Sequence, residues 1–172
     1  MQNPTYRPAT KADLPLLVAI YNAVIAEGGF TADLAPYSLE QRLPWFNDHQ
    51  QAPYLIYIVE VNNRGQGYFY FTPWRSGRSA MRQVAEISYY FAKEARGQGL
   101  GRFMLEQAQI IAKNTGVNYL LAILLEMNTG SLTLLEKGGF TLAGSLPEIA
   151  NLGDHRCGQL IMYKKLRDEE ND

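Results

Sequence analysis

The chain has 172 residues, 47% hydrophobic and 19% charged, which is enough to bury the core of one domain over residues 1–172 and excludes a disordered chain. Sixteen basic against seventeen acidic side chains leave a net charge of −1, so no overall field draws nucleic acid or an anionic membrane, and neither is expected as a partner. Cys157 is the lone cysteine, which excludes an intrachain disulfide and a cysteine zinc site; with no signal-peptide core and no long apolar run, a cytoplasmic protein is expected.

A short strand is predicted at residues 6–9. Thr10 then caps a helix, with Asp13 placed where a carboxylate suits free N–H groups. Leu14, Leu17, Val18, Tyr21 and Ile25 follow at helical spacing until Gly28 and Gly29 stop the run. Ser38 and Gln41 read as a capping box for a second helix that Pro44 should distort. Strands are expected at residues 54–61, 67–73 and 83–92, with a turn at residues 62–65 and a loop at residues 74–82.

A glycine-rich turn comes next, and Leu100, Phe103, Met104, Ala108 and Ile111 mark one face of a helix that ends by Gly116. Residues 117–125 are an almost unbroken apolar run, as expected of a strand buried on both faces. A short helix at residues 131–137 and strands at 140–144 and 159–166 complete an α/β chain with a mixed sheet.

The turn Arg96-Gly97-Gln98-Gly99-Leu100-Gly101-Arg102 joins a strand to a helix. N–H groups in the first helical turn lack partners, and the helix dipole adds positive charge there. Glycines let a phosphate approach the backbone, and arginines add forked donors, so a pyrophosphate fits. An ordinary strand-to-helix turn with solvated arginines is the plain alternative. No Gly-Lys-Ser/Thr follows, which excludes a P-loop, and the glycine spacing fails the dinucleotide fingerprint G-x-G-x-x-G.

The pattern that fits is R-x-x-G-x-G, carried by Arg96, Gly99 and Gly101. Here the sequence resembles the GCN5-related N-acetyltransferases (GNAT), whose acyl-CoA N-acyltransferase fold is a mixed, mostly antiparallel twisted sheet flanked by helices. Asn128, Ser131 and "LLEKGGF" are similar to that family's second cofactor segment. "YRPATKADLPLLVAIYNAVI", "SLEQRLPWF", "YFTPWRSGRSAMRQVAEISYYF" and "NTGSLTLLEKGGF" follow the outline of its phosphinothricin and methionine-sulfoximine acetyltransferase branch.

The resemblance implies acetyl-CoA as cosubstrate, no metal, a small and amino-acid-like primary amine as acceptor, direct attack in a ternary complex, and a homodimer. It implies that Gly97, Gln98, Leu100 and Arg102 join the three motif residues in holding the pyrophosphate. Glu86, ten residues before Arg96, stands where the branch has its general base. Strand alternation puts Glu86, Ser88 and Tyr90 on one face. The family's splayed strand implies free backbone groups at Tyr89, Tyr90 and Phe91, with the Phe91 N–H polarising the thioester carbonyl.

Leu135 stands where relatives carry a proton-donating tyrosine or histidine, which leaves Tyr90, water or an inactive enzyme as readings. Arg75, Arg78 and Arg82 lie where the branch holds a substrate carboxylate, although loop arginines are commonly just solvated. Phe30 and Thr31 read as pocket wall. Ala80, Met81, Cys157 and Gln159 depart from the branch and make glufosinate an unsafe substrate guess. His49 and His155 read as loop or surface residues, and Trp45 as core. A protein lysine or N-terminal acetyltransferase, and a non-catalytic acyl-CoA-binding sensor, are the alternative functions.

Overall fold

The computed structural model describes residues 3–167. After strand β1 (Thr5–Pro8), the Thr10 and Asp13 side chains cap a short 3-10 turn that runs into helix α1 (Leu14–Glu27). Arg7 ties these elements together, donating to both oxygens of Asp13 at 2.8 Å and to Glu60 at 2.9 Å. Leu14, Leu17, Val18, Tyr21 and Val24 form the buried face of α1, and Gly28, at φ 76°, ends it.

Helix α2 (Leu39–Asp48) has the reciprocal cap read from the sequence, Gln41 N–H to Ser38 Oγ at 3.2 Å and Ser38 N–H to Gln41 Oε1 at 2.8 Å. It continues through Pro44 to Asp48. Strands β2 (Ile56–Val61) and β3 (Arg64–Pro73) form a hairpin whose two turn residues, Asn62 and Asn63, both have positive φ. The turn is therefore shorter than residues 62–65, because Arg64 already pairs with Val61.

Then follow β4 (Val84–Phe91), α3 (Leu100–Asn114), β5 (Tyr119–Leu125), α4 (Thr129–Lys137), β6 (Thr141–Asn151) and β7 (Arg156–Lys165). The seven strands form one sheet in the order β1-β2-β3-β4-β5-β7-β6. Strand β6 runs well past residue 144; bulges between Leu142 and Gly144 and between Leu146 and Ala150 break the alternation that would mark it in sequence.

Only β4 and β5 are parallel, and their pairing stops at Glu86 opposite Leu121. Beyond that point the two strands separate while β4 stays paired with β3 as far as Phe91. The sheet thus opens a wedge with Glu86 at its vertex.

Apolar side chains cover both faces. One core cluster packs α3 and α4 against Phe69, Phe71, Ile87, Leu120 and Met162. The other packs α1 and α2 against Ile56, Ile58 and Tyr68. This second layer leaves β5 partly uncovered: Leu120, Ala122 and Leu124 are buried, but Tyr119, Leu121 and Ile123 are only half-buried. The expectation of a strand buried on both faces is corrected accordingly. Among the described residues no helix is long and apolar enough to cross a membrane.

Candidate active site

The wedge between β4 and β5 opens into a cleft of about 350 Å³. Its walls come from the C-terminal part of β4, the glycine turn, the N-terminal part of α4, and Val24 and Phe30 beside α1. Most of the sequence-predicted cofactor residues meet here: Tyr89, Tyr90, Phe91, Arg96, Gly97, Gly99, Gly101, Arg102, Asn128 and Ser131 all line it.

The glycine turn has the shape the sequence implied. Gly97 and Gly99 sit at φ 73° and 83°, where any side chain is strained, and a Cβ on either would project into open space. The bond from Phe103 N–H to the Gly99 carbonyl at 3.2 Å closes the first turn of α3. The N–H groups of Leu100, Gly101 and Arg102 precede that bond and have no helical acceptor. These donors and the helix dipole form an anion site at the mouth of the cleft.

The side chains in this loop are used differently from the sequence expectation. Arg96 does not extend freely from the turn. Its Nη1 donates to both Glu27 oxygens at 2.9 and 3.0 Å, Nε and Nη2 both donate to the Phe91 carbonyl at 3.2 Å, and the guanidinium lies 4.6 Å from the Phe30 ring centre. Arg96 therefore joins α1 to the end of β4 in this structure. Arg102 is exposed and paired with Glu106 one turn along α3. Gln98 donates to the Glu94 carbonyl, and the Leu100 side chain is buried in the core, so only their backbone groups remain for a ligand.

The backbone of β4 corrects a second expectation. Ala92 N–H donates to the Gln66 carbonyl, and Trp74 N–H to the Val84 carbonyl, so the even-numbered residues of β4 point their backbone groups at β3. By alternation Tyr90 belongs to that ladder, opposite Tyr68, while Tyr89 and Phe91 turn their N–H and C=O groups towards the open wedge. The free backbone groups are the N–H and C=O of Tyr89 and the N–H of Phe91, whose carbonyl Arg96 occupies, and not those of Tyr90.

Side chains alternate across the faces of β4 in the same way. The Tyr90 ring packs on the α1 side, 4.7 Å from Tyr21 and 5.5 Å from Tyr68. Tyr89 packs into the opposite core, beside α4. On α4, Asn128 accepts a bond from Ser131 N–H at 3.1 Å and caps the helix. Leu135 is 1% exposed and belongs to the core, and Leu134 is the residue of that pair that faces the cleft.

Glu86 does not line the cleft. It is half-buried at the vertex, on the α1 side of the sheet with Ser88 and Tyr90, and no hydrogen bond or ion pair to its carboxylate occurs among the described residues. Burial pushes that carboxyl above the ordinary glutamate range. Nearby on the same face, Arg42 covers the rings of Trp45, Tyr21 and Tyr37 at 4.0, 4.7 and 5.1 Å, a cation among aromatics that sequence reasoning missed. Its place in the capped helix α2 was readable, but its stacking needs the tertiary fold.

Arg75, Arg78 and Arg82 come together in a separate, shallower depression of about 410 Å³ with Tyr54 and Trp74, at the β3–β4 loop. That depression shares no lining residue with the cleft. Phe30 lies at the cleft, whereas Thr31 accepts or donates to Tyr21 Oη at 2.9 Å. His49 is buried, with Nδ1 2.7 Å from the Trp45 carbonyl, which corrects its reading as a loop or surface residue; His155 is exposed beside Asp154. Burial pushes the His49 imidazole below its ordinary value. No group of three or more metal-ligating side chains occurs among the described residues.

Residues 5–141 match the profile of the Acetyltransferase (GNAT) domain. The chain is 36% identical over 162 residues to YwnH of Bacillus subtilis, a proposed phosphinothricin acetyltransferase, covering 94% of this chain and 99% of that one. It is 29% identical over 145 residues, 84% of each chain, to the L-methionine sulfoximine/L-methionine sulfone acetyltransferase of Salmonella typhimurium. A GNAT superfamily phosphinothricin acetyltransferase from Sinorhizobium meliloti, solved in complex with acetyl-CoA, superposes with a TM-score of 0.87 at 26% identity, covering 94% of this chain and 88% of that one. These relatives are named as enzymes, which sets aside the reading as a non-catalytic acyl-CoA binder. A splayed sheet, a glycine turn of unpaired N–H groups and these likenesses agree: the chain belongs to the GCN5-related N-acetyltransferase superfamily, in its phosphinothricin and methionine-sulfoximine acetyltransferase-like branch, and is an acetyl-CoA-dependent N-acetyltransferase.

Proposed function

We propose that this enzyme moves the acetyl group of acetyl-CoA directly onto the primary amine of a small, amino-acid-like acceptor within a ternary complex. The observation that carries this reading is the wedge: a cleft of about 350 Å³ opens beside β4, and a carboxylate with no partner among the described residues stands at its vertex. The pyrophosphate meets the N–H groups of the turn from Gly97 to Arg102. The pantetheine arm enters between the strands against the free N–H and C=O of Tyr89, and the free Phe91 N–H polarises the acetyl carbonyl.

Glu86 takes the amine proton, directly or through water, as nitrogen attacks the carbonyl carbon. The electron pair of the breaking C–S bond leaves on sulfur. No acetyl-enzyme is needed, and Cys157 is unsuited to forming one, being buried with its thiol bonded to the Gly158 carbonyl at 3.3 Å. Phe30 walls the cleft, and Arg75, Arg78 and Arg82 supply forked donors for the acceptor's carboxylate. A homodimer fits the exposed apolar residues of the C-terminal strands, Leu142, Leu146, Ile149 and Tyr163.

Initial velocities with both substrates varied should intersect; parallel lines, with activity lost in Cys157→Ala, would overturn direct transfer. A panel of free amino acids and their analogues against a peptide panel, read by thiol release, tests the acceptor class. Activity confined to peptides would favour a protein acetyltransferase instead. A monomer in sedimentation at micromolar concentration would remove the dimer.

A further inference from the structure

The reaction leaves a thiolate, and the fold has closed the expected route to its stabilisation: Leu135 is apolar and sealed in the core. Tyr90, the alternative suggested by the sequence, holds its ring against Tyr21 and Tyr68 on the other face of β4. The neighbouring strand position is different. Tyr89 lines the cleft from the same side as α4, and its hydroxyl is buried with no hydrogen-bond partner among the described residues.

An unpartnered buried hydroxyl costs folding free energy, so its retention beside a ligand cleft calls for an explanation. The group has a donor proton, and the Ser131 side chain on α4 is its polar neighbour, falling short of hydrogen-bond geometry with it. It also belongs to the residue whose own backbone turns towards the gap, so its ring is anchored next to the path assigned above to the pantetheine arm.

We infer that the Tyr89 hydroxyl donates a hydrogen bond to the coenzyme A sulfur as the C–S bond breaks, stabilising the departing thiolate in place of an acid on α4. The inference rests on the placement of acetyl-CoA in this cleft. Atoms and charges balance as follows. Nitrogen forms its bond to the acetyl carbon and yields a proton to the Glu86 carboxylate, while the C–S electron pair passes to sulfur. Tyr89 keeps its proton, because burial pushes its phenol up to about 12, well above a free thiol near ~8.5. A hydrogen bond, not a completed transfer, is therefore the stable arrangement. The thiolate takes its proton from solvent after release.

The test is Tyr89→Phe, which keeps the ring and removes only the donor. kcat should fall about 10- to 100-fold, the range for losing a hydrogen bond to a charged group, with acetyl-CoA affinity changed by less than about twofold. At pH ~9, where part of free coenzyme A is thiolate, the wild-type protein should bind it more tightly than desulfo-coenzyme A, and Tyr89→Phe should lose that preference. A kcat near wild type overturns the inference. So does a reduced kcat with the sulfur preference intact, because the hydroxyl would then act only through packing. Gly99→Ala separates this from the underlying placement: if acetyl-CoA affinity ignores that change, the cofactor lies elsewhere, whatever Tyr89→Phe does.

Discussion

The Arg96 guanidinium holds the Phe91 carbonyl with two N–H groups, both at 3.2 Å, while its third nitrogen is fixed on Glu27 at the end of α1. The side chain that the motif suggests for phosphate is thus a strut between the first helix and the end of β4. Both partners of the Arg96–Glu27 pair are less than a third exposed, so the strut is worth more than a surface ion pair. Arg96→Ala should cost about 1–3 kcal/mol of stability and weaken acetyl-CoA binding with it. Glu27→Gln separates the two possible roles. A strut predicts weaker acetyl-CoA binding in Glu27→Gln by calorimetry; an arginine that swings onto phosphate predicts tighter binding, because its competitor is gone.

The turn glycines should respond unequally. Gly97 and Gly99 adopt left-handed φ with empty space where a Cβ would go, so alanine there strains the backbone by about 1 kcal/mol and also intrudes on the phosphate path. Gly101 is helical, but its Cβ would lie 3.0 Å from the Leu134 side chain across the cleft. Gly99→Ala should raise the acetyl-CoA KM about tenfold or more with a small loss of Tm. Gly101→Val should lower Tm further, because the added methyl groups crowd the Leu134 side chain, which must shift to admit them. Equal effects on Tm and KM at both positions would contradict this division.

How much of this was readable in the sequence depends on the residue. The motif turn and the capped helix starts were legible because each rests on local chemistry, glycines for positive φ and Ser38 with Gln41 for a cap, whereas Glu86 was singled out by the resemblance, through its spacing from Arg96. What was not legible depends on partners distant in the chain. Nothing near Arg96 announces Glu27, 69 residues away. Pairing with β3 decides that Tyr90 is used in a ladder while the N–H groups of Tyr89 and Phe91 turn to the wedge, and a strand read alone treats the three alike. The extent of β6 was hidden by bulges that break its period. His49 read as a loop or surface residue for want of a metal-ligand partner nearby; it does sit in the turn after α2, but that turn buries it against Trp45 and Tyr70.

Leu135 offers a test of where the leaving group is stabilised. At 1% exposure it sits within the core that joins α3, α4 and the sheet. Placing a tyrosine there should not restore a proton donor. The larger ring overpacks a filled site, at about 1–3 kcal/mol, and its hydroxyl would need a new partner. Leu135→Tyr should therefore lower Tm without raising kcat. A gain in kcat would mean that a phenol at this position reaches the cleft after all.

Glu86 carries the heaviest mechanistic claim and the clearest signature in pH. Its carboxyl is raised above the ordinary value near ~4.3 by burial alone, with no cation to lower it. A general base works only when ionised, so the acidic limb of kcat/KM should lie above the ordinary glutamate value. Glu86→Gln keeps the shape, and should remove that limb and lower kcat/KM about 10²- to 10⁴-fold near neutral pH. The defect should shrink as pH rises, since more acceptor then arrives already deprotonated. Acetyl-CoA affinity should hardly change, because Glu86 lies outside the cofactor cleft. Stability gives a second, independent reading. A carboxyl whose folded value is raised favours the fold below its unfolded value and loses that contribution as pH rises through the folded value. The ionised wild-type side chain is thus a burden above that range, and Glu86→Gln should be the more stable protein at pH ~8 and show no such advantage at pH ~4. A large rate loss that does not vary with pH would make Glu86 a binder of the ammonium, not its base. A nearly unchanged rate at neutral pH would move the base to another residue.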